Sequence, residues 1–373
     1  MKQIKIVFLS CIILSICWSC GDDPETSLPI PDPPSSDTTI VNPDTIPEEP
    51  LPLSIAKGAD ISYCTQMETE GRLFYSFSVR EAQECTRVMK DLGMDAIRLS
   101  VLVNPVDGYL GLEDVIEKAV RACTLGMDLM IAFHYSDVRC SWSSQSIPEE
   151  WSTDSLSLLC KQVSEHTSEV LSALRDRNIP VRWIQIGNET STGMLPPMGD
   201  TDRNSEGFRA LFKAGSQAAR RIYPQASIVA HLARGFDQTQ CQEILDLIDS
   251  EDFDIIGLSL RPSKEIGETF RMVNGRVYRT ISSQEECVEF TFQNMDILYN
   301  RYKKNSLIAE LGLPASTEVA STSLMHTICN KAKESGICDG IFYWEPQTYP
   351  EWGNDLGAFL SNGRPTTILE AFE

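Results

Sequence analysis

From residue 53 onward, short apolar runs alternate with amphipathic stretches eight times over, without internal sequence identity. Runs at 58–63, 96–102, 129–135, 181–189, 227–232, 253–259, 306–310 and 340–344 have the length and the β-branched or aromatic content of buried strands. The first of them is the least apolar. Between the runs, apolar residues recur at i, i+3 and i+4 over 80–92, 114–120, 156–175, 207–222, 240–248, 284–302 and 323–334. That is the period of a helix with one buried face; Val115, Ile116, Ala119 and Val120 share such a face. Strands that alternate with helices pair in parallel through right-handed crossovers. Eight units over about 320 residues predict a closed (β/α)8 TIM barrel, for which about 250 residues plus insertions is typical. An open doubly wound sheet would show a Gly-rich turn after an early strand, and the sequence has none.

The first 54 residues follow neither pattern. Met1-Lys2-Gln3-Ile4-Lys5 is a short cationic start, residues 6–18 are mostly apolar and uncharged, and Ser19-Cys20 precedes Gly21-Asp22-Asp23. This predicts a secretion signal over 1–20, too short and wrongly flanked to span a membrane. The end of the apolar run at Cys20 is similar to the cleavage box of bacterial lipoproteins, which implies an acylated Cys20 and an extracytoplasmic, outer-membrane lipoprotein. The alternative is ordinary cleavage with Cys20 a free thiol. Residues 21–54 hold nine Pro, eight Asp or Glu, no Lys or Arg and no aromatic residue. Such a segment cannot bury enough apolar surface to offset its ordering entropy, and Pro and like charges keep it extended. It is expected to be a disordered tether for a folded domain at 55–373.

Charge narrows the function. The 373 residues carry 32 Lys+Arg against 53 Asp+Glu, a formal net charge of −21. Without the signal and the tether, residues 55–373 still carry −15. An acidic surface repels phosphate backbones, which argues against nucleic-acid binding. No His pair stands at zinc-ligand spacing and no Asp-rich calcium loop is visible, so no cofactor is assigned. After Cys20 there are nine cysteines, an odd number whose pairing spacing alone does not give.

In such a barrel, chemistry sits where strands end and βα loops begin. Arg98 lies in the second run. The third ends His134-Tyr135-Ser136-Asp137, the fourth Asn188-Glu189, the fifth near His231, the seventh at Glu310 and the eighth Tyr343-Trp344-Glu345. Glu189 and Glu310 each follow an apolar run, so neither is a casual surface charge. Two carboxylates that flank one bond are what glycoside hydrolysis requires, one protonated to assist the leaving oxygen and one ionised to attack. Arg98 near the second would keep it charged; burial and the neighbouring anion would raise the first. Either Glu could instead close a rim salt bridge or cap a helix.

Lys57-Gly58-Ala59-Asp60-Ile61-Ser62, Ile97-Arg98-Leu99 with Asn104-Pro105, Phe133-His134-Tyr135-Ser136-Asp137, Gln185-Ile186-Gly187-Asn188-Glu189, Gly193-Met194-Leu195 and Phe342-Tyr343-Trp344-Glu345-Pro346 occur in that order. Together they resemble glycoside hydrolase family 53, the arabinogalactan endo-β-1,4-galactanases. The resemblance implies a retaining enzyme with Glu189 as acid/base, Glu310 as nucleophile, Asn188 on the sugar 2-hydroxyl and Arg98 orienting Glu310. It also implies that His134 and His231 line the cleft and that Trp344 faces a sugar ring. Asp137 and Glu345 either bind sugar hydroxyls or tie down loops. The expected partner is galactan or a galacto-oligosaccharide, met by a lipid-anchored monomer.

Two stretches depart from the family. Ser259-Leu260-Arg261-Pro262 stands where the family has Ser-Tyr-Tyr-Pro, which puts Leu260 at the place of the Tyr that touches the nucleophile. Leu313-Pro314-Ala315 replaces an aromatic-Pro-Trp run. The alternatives are therefore a retaining barrel glycosidase of different sugar specificity and a non-catalytic, glycan-binding surface lipoprotein.

Overall fold

The computed structural model describes residues 55–151, 155–272 and 277–373. The expected signal, Cys20 and the tether lie outside the described residues. The strands are β1 (Ala56–Asp60), β2 (Ala96–Val101), β3 (Asp128–Phe133), β4 (Trp183–Ile186), β5 (Ser227–Leu232), β6 (Ile255–Leu260), β7 (Thr269–Arg271), β8 (Tyr278–Thr280), β9 (Ser306–Leu311) and β10 (Cys338–Trp344). All but β7 and β8 pair in parallel in one ring, and β1 bonds to both β2 and β10 to close it. β7 and β8 form a separate antiparallel pair between β6 and the next helix.

Helices α1 (Cys64–Thr69), α2 (Cys85–Asp91), α3 (Leu112–Thr124), α4 (Leu156–Arg175), α5 (Ser205–Ile222), α6 (Gln238–Leu245), α7 (Gln284–Tyr302) and α8 (Glu318–Ser335) fill the crossovers. Side-chain oxygens of Ser155, Asn204, Asp237 and Ser283 accept from backbone N–H groups in the first turns of α4, α5, α6 and α7, which satisfies donors that a helix start leaves without partners. α1, β7 and β8 were not expected from the sequence. α1 has six residues and no side-chain cap, and β7 and β8 have three residues each, too short for either period to register.

Both faces of a parallel barrel strand are buried, which is why the runs read as continuously apolar. Inside the ring, Met130, Trp183, Val229, Leu307 and Phe342 form one cluster, with Trp183 and Phe342 edge to face at 5.5 Å. The opposite face of each strand packs with the helices in a larger outer core. Two residues beyond that interior cluster, towards the C-terminal ends of the strands, the inward positions turn polar. Asp60, Arg98, Gln185 and His231 are all fully buried there. Among the described residues the nine cysteines are all free thiols, seven of them buried.

One irregularity matters for the chemistry. On β9, Leu307 and Ala309 belong to the barrel interior while Ile308 and Leu311 belong to the outer core. Strict alternation would send Glu310 outward with Ile308. The pairing of β6 with β9 shifts between Leu258–Ile308 and Ser259–Glu310, so β9 carries one extra residue. Such a bulge re-aims the following side chain, and Glu310 turns inward.

Gly58 lies against Phe342 in the β1–β10 pairing, and a Cβ there would overlap the Phe342 ring. Gly58→Ala is therefore expected to lower stability by about 1–3 kcal/mol through overpacking, read from urea unfolding. An unchanged midpoint would show that the ring yields freely.

Candidate active site

β4 ends at Ile186, and the chain then turns through Gly187 at φ 74° to Glu189 at φ 47°. A left-handed non-glycine residue costs about 1–3 kcal/mol and persists only when its surroundings hold it. Here they do. The Gln145 amide donates to the Asn188 carbonyl at 2.8 Å, and Thr190 N–H donates to the His231 carbonyl at 2.9 Å. The Asn188 side chain is fixed as firmly: its Oδ1 accepts from Arg98 Nη2 at 2.8 Å and Gln185 Nε2 at 3.0 Å, and its Nδ2 donates to the Cys140 carbonyl at 2.8 Å. The turn delivers Glu189 into the mouth of the barrel.

Glu310 arrives there from β9. Arg98 Nη2 lies 3.0 Å from its Oε1, and Arg98 Nη1 pairs with Asp60. Arg98 also donates to Gln185 Oε1 at 3.0 and 3.1 Å, so the guanidinium cannot swing away. The two glutamates are joined by a single group. Arg261 Nη1 donates to Glu189 Oε1 at 2.6 Å, and Arg261 Nη2 donates to Glu310 Oε2. The rigid, planar fork of one guanidinium thus reaches both carboxyl groups at once and holds them near each other, as a direct covalent relay between two carboxylates requires.

The other oxygen contacts of Glu189 define the state of its neighbours. Ser259 Oγ donates to Glu189 Oε1 at 2.6 Å, and His231 Nε2 lies 3.0 Å from the same hydroxyl. His231 Nδ1 in turn lies 3.0 Å from Asn188 Oδ1 and 3.4 Å from Glu189 N–H, so the ring is wedged between the Ser259 hydroxyl and the Asn188 side chain. Burial pushes His231 down to about 4, which leaves the imidazole neutral near pH 7. Burial pushes the Glu189 carboxyl up, but the Arg261 charge and the Ser259 hydrogen bond outweigh it and hold the group down, to about 2. Burial likewise raises Glu310, and Arg98 and then Arg261 more than offset it. Both carboxylates are ionised in the empty site near neutrality. The expectation that Glu189 would be raised is therefore corrected: a second arginine, not only a second anion, faces it.

Above this floor is a cleft of about 830 Å3. Glu189, Glu310, Asn188 and Arg261 lie on its surface, with the rings of Tyr63, Trp142, Trp344 and Trp352 around them. Among the described residues no cluster of three or more His, Cys, Asp or Glu side chains is arranged to hold a metal ion.

The model of glycosyl hydrolase family 53 matches residues 56–364. The chain belongs to this family. A probable arabinogalactan endo-β-1,4-galactanase A of Aspergillus terreus is 29% identical over 310 residues, 79% of this chain and 88% of that one. The arabinogalactan endo-β-1,4-galactanase A of Emericella nidulans is 27% identical, over 79% and 88%. Among solved structures, a fungal β-1,4-galactanase superposes with a TM-score of 0.74 at 22% identity, covering 85% of this chain and 98% of its own. The catalytic domain of a family 53 protein from Ignisphaera aggregans superposes with a TM-score of 0.72 at 24% identity, over 87% and 97%.

Set against this family 53 frame, most of the expected residues converge. Glu189, Glu310, Asn188, Trp344 and Glu345 line the cleft, and Arg98 lies buried beneath it. Trp344 is flanked by two guanidiniums, Arg139 at 5.5 Å and Arg261 at 5.4 Å from the ring centre. The two histidines do not line it. His231 is under the floor on Asn188 and Ser259, and His134 is buried with its Nδ1 accepting from Cys140 N–H at 2.9 Å. Both hold loops rather than meet solvent, because strand-borne imidazoles at that depth face the barrel axis. Asp137 ties loops, accepting from Asn104 and Glu149 backbone N–H at 2.9 and 2.8 Å. Glu345 accepts from Arg139 at 2.7 Å and Gln347 at 2.6 Å.

Leu260 is not the residue opposite the nucleophile. It packs in the outer core, and Arg261 takes the nucleophile-facing place. Arg261, at φ −123° and ψ 71°, stays out of the helical region that a following proline disfavours. The alternation of β6 thus continues one residue past its end, and 261 points inward like 259. Counting by twos from Ser259 would have found it. Arg139 and Gln145 lie on a loop with no period, and nothing in the sequence marked them.

Arg98→Met would leave Glu310 and Asp60 short of a buried cation, and it is expected to cost about 3–5 kcal/mol at neutral pH. A carboxylate held below its unfolded value contributes stability that is present above the unfolded value and lost as pH falls through the folded one. The gap between wild type and Arg98→Met should therefore narrow as pH drops below about 4. Urea unfolding at pH 7 and at about pH 3, below the unfolded value, checks this; a gap of equal size at both would rule out the charge as its cause.

Proposed function

We propose that this chain is a retaining endo-β-1,4-galactanase, with Glu310 as nucleophile and Glu189 as acid/base. The observation that carries the reading is the pair of buried carboxylates, from the turn after β4 and the bulge in β9, bridged by one guanidinium at the floor of an open cleft. Family membership and the galactanases among its relatives supply the substrate class.

The chemistry follows from the positions. A sugar seated between the carboxylates presents its anomeric carbon to Glu310. Glu310 attacks while protonated Glu189 gives its proton to the departing glycosidic oxygen, so the old bond breaks as an ester to Glu310 forms. Glu189, now ionised, takes a proton from water, and the resulting hydroxyl releases the sugar with its configuration retained. Arg98 keeps Glu310 ionised as charge builds and is spent. The second Nδ2 hydrogen of Asn188 is free to meet the sugar 2-hydroxyl, an interaction that strengthens in the transition state. The exposed faces around the cleft, Trp142 and Trp344 among them, offer flat apolar surface to further rings.

The first twenty residues support acylation at Cys20, and the following acidic, proline-rich segment supports a tether. On this reading the enzyme works as a monomer, anchored by lipid outside the cytoplasm of a cell with an outer membrane. Labelled-palmitate incorporation that is lost in Cys20→Ala tests the anchor, and retained label would refute it.

Glu310→Ala is expected to lower galactan hydrolysis by at least about 1,000-fold, with binding retained. Glu189→Ala should cost about 100- to 10,000-fold on galactan and far less in the first step on aryl galactosides with good leaving groups. Equal losses on both substrates would contradict the acid role. Product sizing on unbranched β-1,4-galactan beside mannan and glucan checks the sugar: cleavage of either of those in place of galactan would overturn the galactanase reading.

A further inference from the structure

A bound glycosidic bond must lie between nucleophile and acid, and in the empty site that place is already filled. The Arg261 fork reaches Glu189 with one nitrogen and Glu310 with the other. Its head group lies over the Trp344 ring, 5.4 Å from the ring centre, and Trp344 is the ring expected to meet a sugar. The arrangement is chemically idle as it stands, because a carboxylate that accepts from a guanidinium and from Ser259 on the same oxygen has no proton to give.

We propose that Arg261 is a positioning residue that closes the empty site, and that an entering sugar displaces it from Glu189, which takes up one proton from solvent as the guanidinium leaves. The inference rests on the acid/base reading of Glu189. Arg261 suits the task. Arg98 is locked by Asp60, Gln185 and Asn188, whereas among the described residues the Arg261 guanidinium hydrogen-bonds to the two glutamates alone. Its side chain is the more exposed, at 18% against none for Arg98. Retaining the Glu310 contact while losing that to Glu189 would leave one carboxylate paired and one not, the asymmetry that the reaction needs.

The charged and titratable groups around Glu189 set the direction of the proton. They are Arg98 from β2, His231 from β5, Arg261 after β6, Glu265 in the turn beyond it and Glu310 from β9. His231 is neutral near pH 7. With Arg261 gone from Glu189, burial and the nearby Glu310 anion both favour the protonated acid, and of the two effects that held the group down only the neutral Ser259 hydrogen bond stays. Sugar binding is thereby linked to proton uptake, so affinity should weaken as pH rises.

The test uses the folded domain at pH 7 and β-1,4-galactobiose as probe. Calorimetric titration in two buffers of different ionisation heat should show uptake of about one proton per sugar bound by wild type. Arg261→Gln should take up less than half as much and bind the sugar about tenfold more tightly or better, because no ion pair has to be broken. The falling alkaline limb of its kcat/KM profile should move up by about one pH unit or more. Arg261→Lys, which keeps the charge but lacks the planar two-nitrogen fork, should lie between the two and serves if Arg261→Gln does not fold.

Binding without proton uptake by wild type, or an alkaline limb that neither variant moves, would overturn the proposal. Direct carbon-13 titration of the Glu189 carboxyl in the sugar-free protein separates this from failure of the galactanase reading. That midpoint should rise in Arg261→Gln whatever glycan is cut, and an unmoved midpoint refutes the clamp itself.

Discussion

Two ionised carboxylates cannot share a water-poor floor unless cations hold them there. Isolated, each would take up a proton or move apart, since desolvation of a charge outweighs most single contacts. In this barrel the load is carried by a chain of alternating charges: Asp60 to Arg98, Arg98 to Glu310, Glu310 to Arg261, Arg261 to Glu189. Each link faces two opposite charges or a charge and a neutral donor. The chain also sets the protonation states on which the chemistry turns, and its two arginines have different duties. Arg98 is enclosed and permanent; Arg261 borders the cleft.

The backbone makes this network possible at two irregular points. The left-handed residue at Glu189 and the extra residue in β9 both break the regular strand geometry. Without the extra residue, period-two alternation would bury Glu310 among the helices with Ile308 and Leu311. Strain of a few kcal/mol is thus offset by the hydrogen bonds of Gln145, Asn188 and Thr190 and by the ion pairs of Glu310. Tyr135 and Glu345, at the ends of β3 and β10, are left-handed too, so the same device recurs around the rim.

These irregularities also mark where the sequence is legible. The eight runs and the helical period between them were enough to expect the barrel, because both follow from burial alone. Glu189 and Glu310 stood out because a carboxylate at the end of an apolar run is costly. His134, His231 and Asp137 were visible as polar strand ends, yet their duty, whether facing sugar or holding a loop, depends on depth and loop path that no local pattern encodes. Leu260 and Arg261 show the same limit at one-residue resolution. Alignment by motif placed Leu260 at the nucleophile, but the pleat of β6, continued one residue past its end, placed Arg261 there.

The central claim is that Glu189 and Glu310 stand close enough for a direct covalent relay, and the stereochemistry of the first product reports that most directly. Proton NMR of galacto-oligosaccharide hydrolysis, followed before mutarotation, should show the β-anomer of the new reducing end appearing first. First appearance of the α-anomer would mean that water attacks in one step across a wider gap, and it would contradict this account of the site.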